Sequence, residues 1–499
     1  MFRHTTVKKS LILLVAVLML AAVVFAACDG GKFKPVTLPE KGAISSNGGI
    51  AVQYGEWLYY VNGYTSDTSA ENTYVDVTDA PRIGSVVRIK IAEIAELFKI
   101  NDNSDLTSAK KTANIAAAIR GETIDDVKFV GAQTVIPKIY YSGNTTSTQL
   151  TGIFIFGERI YVTTPNDELT PGGEKQTDQL VLTSFTLDGG DMQRHLTLTS
   201  NSAEIWLEEV SGKVVATYLM DKVLHTFDVA SGTDTIVSMQ NDPAPSVANT
   251  VSGVKWDVAS KCVYFIDKFG SICKLSAGQT AYEVIVKNDD YEVHTTDEDA
   301  HIEAGDLSYT INSVNNGRVY YTKATGGDVD NVVLYWATSA GSTDNVALPT
   351  TNLTSIFGWG DGVIYVSSHT QNNRTLYGIF RYEEGMDKPE VLLSPAYNDS
   401  SITIEKIEGN TLYYNANSVY YKLDLTLGTL QKEGTPYAKS PTTTGWAYSD
   451  FVDVTVGDEV VHYVISMGTN TISVVKFDTK TKTNSSSISL LLKAASEEK

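Results

Sequence analysis

Two stretches of this chain gather oxygen and nitrogen donors at spacings that could hold a cation. Asn101-Asp102-Asn103-Ser104-Asp105 alternates oxygen ligands as calcium loops do. Leu106 stands where such a loop needs Gly, and Thr112 where it needs a closing Glu. Asp297-Glu298-Asp299-Ala300-His301, with His294 and Glu303, offers carboxylates and imidazoles for a divalent ion, and a solvated loop is the competing reading. His225 and His462 fall inside apolar runs and read as packed or surface residues rather than ligands. Neither Gly-x-Ser-x-Gly nor His-Glu-x-x-His occurs, so serine hydrolase and zinc protease chemistry have no sequence support. No catalytic, cofactor or metal residue is assigned.

The thiols divide into one with a processing signal and two without. Arg3, Lys8 and Lys9 precede a continuous apolar run from Leu11 to Ala27, and the run ends Val24-Phe25-Ala26-Ala27-Cys28-Asp29. This order resembles a bacterial lipoprotein box, in which the Cys becomes the acylated mature N-terminus. It makes residues 1–27 a signal peptide, Cys28 the lipidation site and 28–43 a tethered linker. Ordinary signal cleavage and an uncleaved anchor are the alternatives. Cys262 and Cys273 flank the turn Asp267-Lys268-Phe269-Gly270. A hairpin pairing Ile266 with Ser271 puts both on one face, diagonally, roughly 7–8 Å apart at Cα. That is too far for a disulfide without a bulge, so two free thiols are expected.

Charge narrows the partners. The full chain carries −20, and loss of three basic residues with the signal brings it to −23. Nucleic acid and anionic headgroups would be repelled, so the membrane is reached through the lipid and not through surface charge. The location implied is the extracytoplasmic face of a cell membrane.

One phrase recurs through the rest of the chain. A Gly, Ser, Asn or Asp is followed four positions later by a Tyr or Val set between apolar residues. It reads Gly55…Leu58-Tyr59-Tyr60, Gly157…Ile160-Tyr161-Val162, Ser211…Val214-Val215-Ala216 and Ser260…Val263-Tyr264-Phe265. It continues as Asn316…Val319-Tyr320-Tyr321, Asp361…Ile364-Tyr365-Val366, Gly409…Leu412-Tyr413-Tyr414 and Gly457…Val460-Val461-His462. From Tyr161 onward the phrases stand 45–56 residues apart, with further strands before and after each. Four antiparallel strands per unit at that period is the blade of a β-propeller, since a lone sheet must stack to cover both faces. The expectation is an all-β propeller over residues 44–492, with about eight four-stranded blades and seven as the alternative. The first interval is doubled. Residues 91–126 carry Ala and charge at helical spacing and read as a small helical insertion in the first blade, projecting outside the ring. Tyr264 and Tyr413 are expected between blades. Trp206, Trp256, Trp336, Trp359 and Trp446 are expected mostly there, with Trp359 a candidate for an exposed stacking platform.

The segment Asn47-Gly48-Gly49-Ile50-Ala51, followed by Gly55-Glu56-Trp57-Leu58-Tyr59-Tyr60, resembles the opening of a bacterial family of unknown function. That family is related to the β-propeller of low-density-lipoprotein-receptor-related proteins. Leu334-Tyr335-Trp336-Ala337-Thr338 is similar to the receptor family's Tyr-Trp-Thr-Asp phrase, without its Asp. The resemblance implies a propeller and a lipoprotein with no assigned activity, and it carries over no site residues. Function then divides two ways. A tethered propeller serves as a binding scaffold for an unidentified protein, peptide or glycan, without a cofactor. Alternatively, it is an envelope enzyme of glycan lyase or peptidase type, with its site in the channel. The residues that open the Tyr strands, Trp57, Arg159, Lys213, Cys262, Arg318, Val363, Thr411 and Glu459, form no consistent acid–base set, which favours binding.

Overall fold

The two-residue turns explain the recurrent phrase. A computed structural model describes residues 36–37, 44–45, 47–63, 83–139 and 152–493. The last span is broken at 167, 175, 177–178, 200–203, 258–259, 295–299, 330–332, 349–353, 394–400, 417–418, 426–434, 437–448, 457–458, 469–470 and 479–482. Cys28, Asp297–Asp299 and Trp446 therefore lie outside the described residues. In six units the first and second strands meet at a turn whose first residue has positive φ. These are Gly55 at 58°, Gly157 at 53°, Ser211 at 52°, Asn316 at 49°, Gly360 at 58° and Gly409 at 57°. Such turns match the twist of a hairpin and select Gly, Asn or a small polar residue.

Each turn feeds a sheet built on four antiparallel strands side by side in chain order, to which short extra strands add in blades one, four, five and eight. Blade one is Ala51–Tyr54, Trp57–Val61, Val86–Lys90 and Gln133–Ile136. Blade two is Phe154–Phe156, Arg159–Pro165, Leu180–Thr186 and Gln193–Leu198. Blade three is Glu204–Val210, Lys213–Met220, Val223–Asp228 and Thr233–Ile236. Blade four is Ser252–Asp257, Cys262–Ile266, Ile272–Ser276 and Ala281–Val286. Blade five is Leu307–Asn315, Arg318–Thr325, Val333–Ala337 and Thr343–Ala347. Blade six is Thr354–Trp359, Gly362–Gln371, Arg374–Glu383 and Glu390–Leu393. Blade seven is Ile402–Glu408, Thr411–Ala416, Val419–Asp424 and Thr435–Pro436. Blade eight is Ser449–Val456, Glu459–Gly468 and Thr471–Asp478, the last pairing with both Thr483–Asn484 and Ile488–Ser489. The fold is a β-propeller, with eight blades among the described residues.

In blades one to six the second strand is sandwiched by its neighbours, so consecutive residues are buried, whereas in blades seven and eight burial alternates along it. Leu58 through Val61 and Val263 through Phe265 are all core. Hydroxyls rivet adjacent blades: Tyr264 donates to the Gly317 carbonyl in the next blade's turn at 2.6 Å, and Tyr320 to the Gly360 carbonyl at 3.1 Å. Two details of the repeat differ from expectation. In blade six Trp359 pairs with Gly362, so the turn closes one residue early and Ile364 takes the slot expected for Tyr365. In blade seven Tyr413 is half-buried, and its neighbour Tyr414 is the one in the core.

The two helices, Ile91–Asp102 (α1) and Ser108–Ile119 (α2), do not project free. Ile94, Leu97, Phe98, Ile115 and Ile119 share one apolar cluster with blades one and eight. Phe98 stacks on Tyr463 of blade eight at 5.8 Å between centroids. The buried Glu93 carboxylate accepts the amides of Val130 and Gly131 at 2.7 and 3.0 Å, which fixes α1 to the loop that leads into the return strand of blade one. The insertion is part of the core because its apolar stripe has the first and last blades to cover.

Blade eight closes on blade one. Val36 and Thr37 pair with Val456 and Thr455. The buried Asn62 side chain donates to the Leu492 carbonyl and accepts the Leu492 amide, both at 2.9 Å, while Tyr60 donates to the Leu490 carbonyl at 2.8 Å. Segment 488–492 thus completes one blade and grips the other.

The cysteines do not share a face. The turn after Ile266 has five residues, closed by the Asp267 amide to the Ser271 carbonyl at 3.0 Å, so Ile266 pairs with Ile272. That moves the register by one. Cys262 then lies on the face of Tyr264, and Cys273 on the face of Phe265. Both are buried free thiols in separate clusters, and burial pushes Cys262 up to about 12.

Candidate functional site

A cleft of about 480 Å³ opens between blades two and three on the turn side. Its lining includes Phe156, Tyr161, His195, Glu209, Lys213 and Val214. The volume is that of a small-ligand pocket, with an aromatic and aliphatic floor and a charged rim.

The cleft is built by an irregularity in blade two. Leu182 pairs with Leu196 but Thr183 pairs with Arg194, so His195 is the extra residue of a β-bulge. A bulge re-aims a side chain and breaks the period-two pattern that sequence reading follows. His195 Nε2 lies 2.7 Å from Ser184 Oγ. Arg159 Nε also donates to that Oγ, at 3.1 Å, and a guanidinium only donates. The Ser184 hydroxyl thus bridges the Arg159 guanidinium and the His195 imidazole. Arg159 is anchored in turn by Asp191, through the carboxylate and the backbone carbonyl, each at 2.7 Å. Tyr161 faces the imidazole at 5.9 Å between centroids.

Burial, and then the nearby Arg159 charge, hold the His195 imidazole below its ordinary value of 6.5. It is neutral at pH 7. The unfolded chain takes up the proton first as pH falls through about 6.5, so this group's contribution to stability declines from there and levels off below the folded value. The stability difference between wild type and His195→Asn should therefore shrink between pH 7 and pH 5. A difference that stays constant across that range, measured by denaturant titration, would contradict the assignment.

Arg159 was noted in the sequence only as a strand opener. Ser184 and His195 carried no signal there, because their pairing depends on the bulge. The other sequence candidates are placed as follows. The Asn103 side-chain oxygen accepts the Asp105 amide at 2.9 Å, and Asp102 lies 3.8 Å from Lys476, so the Asn101–Asp105 loop serves as a helix link. His225 stacks on Tyr218 and sits 3.2 Å from Asp234. His462 is half-buried in blade eight. Trp359 is half-buried, with the Arg381 guanidinium 4.6 Å over its ring and its Nε1 donating to Gly409 at 3.1 Å, so the platform is occupied. The glycine before it is required: a Cβ on Gly358 would fall 1.8 Å from the Tyr320 ring. Trp336 is buried as expected, and Trp206 and Trp256 are half-buried. Strand opener Arg318 turns aside to the Gly360 carbonyl and Asp361.

No family model matches the chain, and no curated protein matches it. Among solved structures it is similar to apo AztD from Citrobacter koseri, at 11% identity over 82% of this chain and 92% of that one, with a TM-score of 0.31. An uncharacterized protein from Listeria monocytogenes matches at 9% identity over 68% and 94%, with a TM-score of 0.30. The tricorn protease matches at 12% identity over 71% of this chain, with a TM-score of 0.22, and the chain spans 40% of its length. Superpositions at this level carry no argument, and the propeller stands on its own sheets.

Proposed function

We propose that this protein is an extracytoplasmic binding scaffold, lipid-anchored at Cys28, with a neutral to basic peptide or glycan segment seated in the cleft between blades two and three. The reading extends to the unknown-function lipoprotein family that its opening resembles. The observation that carries it is the state of the Ser184–His195 pair. Ser184 is 0% exposed and its hydroxyl is engaged by both Arg159 and His195. Such a hydroxyl orients an imidazole toward a ligand and is not presented to one. The charge of −23 disfavours anionic ligands.

The test uses the full chain in detergent against cell-wall glycans, peptides and envelope extracts. Glu209→Trp places a ring in the cleft from an exposed position and should weaken binding tenfold or more, about 1.4 kcal/mol, with the melting midpoint unchanged. Unaltered binding would place the ligand elsewhere. The enzyme reading has one observation in its favour, a serine 2.7 Å from an imidazole that lines a cleft. Product release abolished by Ser184→Ala would establish it. The anchor is tested separately. Cys28→Ala should release the protein from membranes, and a native mature N-terminus at any residue other than 28 would refute acylation.

A further inference from the structure

Between blades four and five the chain leaves the sheets as a separate two-stranded ribbon, Tyr291–His294 against His301–Ala304. Glu292 pairs with Glu303 and His294 with His301. Paired residues share a face and so do alternate ones, so all four side chains stand in a two-by-two grid on one side of the ribbon. Two carboxylates directly opposite each other destabilise a ribbon, and a lone two-stranded ribbon is marginal in water. An arrangement unfavourable on both counts is relieved by a cation.

We propose that Glu292, His294 and Glu303 form a binding site for a divalent transition-metal ion of the zinc class. One ligand atom from each lies within 4.8 Å of the others. His294 Nε2 is 3.4 Å from Glu303 Oε2. Two ligands of one tetrahedral zinc, each about 2.0–2.2 Å from the metal, stand about 3.3 Å apart, so this pair already has the required edge. Nε2 itself is shielded from solvent, although the side chain is 41% exposed, and beyond the long contact to Glu303 it makes no hydrogen bond, a position that a metal would satisfy. The His301 ring stacks on His294 at 4.6 Å and 13°, which fixes the imidazole plane. One nitrogen and two carboxylates suit zinc or a neighbouring first-row ion better than calcium or magnesium, which take oxygen only.

The base of the ribbon is fastened, so the grid is presented ready-made. Asn288 donates to the Leu307 carbonyl at 3.1 Å and its amide reaches Ser271 at 2.9 Å. Asp290 accepts the Leu307 amide at 2.7 Å, and Tyr291 packs on Phe269 at 5.1 Å. The open side of the grid leaves a coordination position for water or for a donor from a partner, as in zinc sites that do more than hold a fold. The inference does not rest on the cleft.

The experiment is competition of Zn²⁺ between the untagged full chain and a chromophoric chelator, with Co²⁺ absorption as a second readout. Wild type should take up one equivalent, with the cobalt spectrum of a low-coordinate N/O site. His294→Ala and Glu303→Gln should each weaken binding by at least about tenfold, the scale on which even outer-shell partners act. The triple variant Glu292→Gln, His294→Ala, Glu303→Gln should lose the equivalent and keep the metal-free melting midpoint. Zn²⁺ should raise the midpoint of wild type only. Equal Zn²⁺ affinity in wild type and the triple variant, or no bound equivalent in wild type, overturns the proposal.

Discussion

Lys268→Ala lowers the unfolding free energy by about 3–5 kcal/mol, the cost of leaving half of a buried ion pair. Lys268 Nζ lies 2.6 Å from Asp242 and donates to the carbonyls of Ala244 and Val247 at 2.7 and 2.9 Å. The two side chains are only 3% and 12% exposed, so water cannot replace the lost partner. The lysine sits in the turn of blade four and straps down the segment that arrives from blade three. Its removal leaves the Asp242 charge without a counter-ion, held only by the Ala244 amide at 2.8 Å, and two carbonyls without their donor. The double variant Lys268→Met with Asp242→Leu should recover much of the loss, because the expense lies in the unpaired charge. Chemical denaturation of wild type and both variants checks this. A single variant within about 1 kcal/mol of wild type would mean that solvent reaches the pair.

Tyr264→Ala costs a similar amount, about 3–5 kcal/mol, as large aromatic truncations in a core do. The ring is 0% exposed and lies in the cluster shared by blades four and five. Tyr264→Phe separates the two contributions. It keeps the ring and removes the hydroxyl that bonds Gly317 and meets the Cys262 thiol, so it should cost about 1–3 kcal/mol, the range for leaving a buried acceptor unmade. Tyr413→Ala, at the same repeat position but half-buried, should cost less than Tyr264→Ala. Equal losses for those two would mean that their burial is the same in solution.

The repeat was legible because a positive-φ turn and a doubly buried strand each leave a compositional mark. The turns demand Gly, Ser or Asn, and the strand demands unbroken apolar text. What the sequence hid depends on offsets of one residue. A five-residue turn in place of four put Cys262 and Cys273 on opposite faces, and an early turn in blade six moved Tyr365 out of its slot. The bulge at His195 is the same kind of event, and it built the cleft. His294 and Glu303 were visible as ligand types. Glu292 was not, since only cross-strand pairing brings it beside Glu303. The Lys268–Asp242 pair spans 26 positions and a blade boundary, beyond any local pattern. The helices were legible as helices, but their role in the core was not, because part of the surface they cover belongs to blade eight, far along the chain.

The latch between Asn62 and Leu492 sets an order in time. Its partners are 430 positions apart, so blade one cannot acquire its final neighbour until nearly the whole chain has been made. Up to that moment the Tyr60 hydroxyl and the Asn62 side chain lack their Leu490 and Leu492 partners. Contacts of such separation form last, since the chain entropy of closing the loop is lost before any contact rewards it. Synthesis therefore passes through an open arc whose first and last blades are not yet joined, a state that favours association with other chains. A chain ending before residue 488 lacks this latch, so the joint between the first and last blades is completed only by segment 488–492.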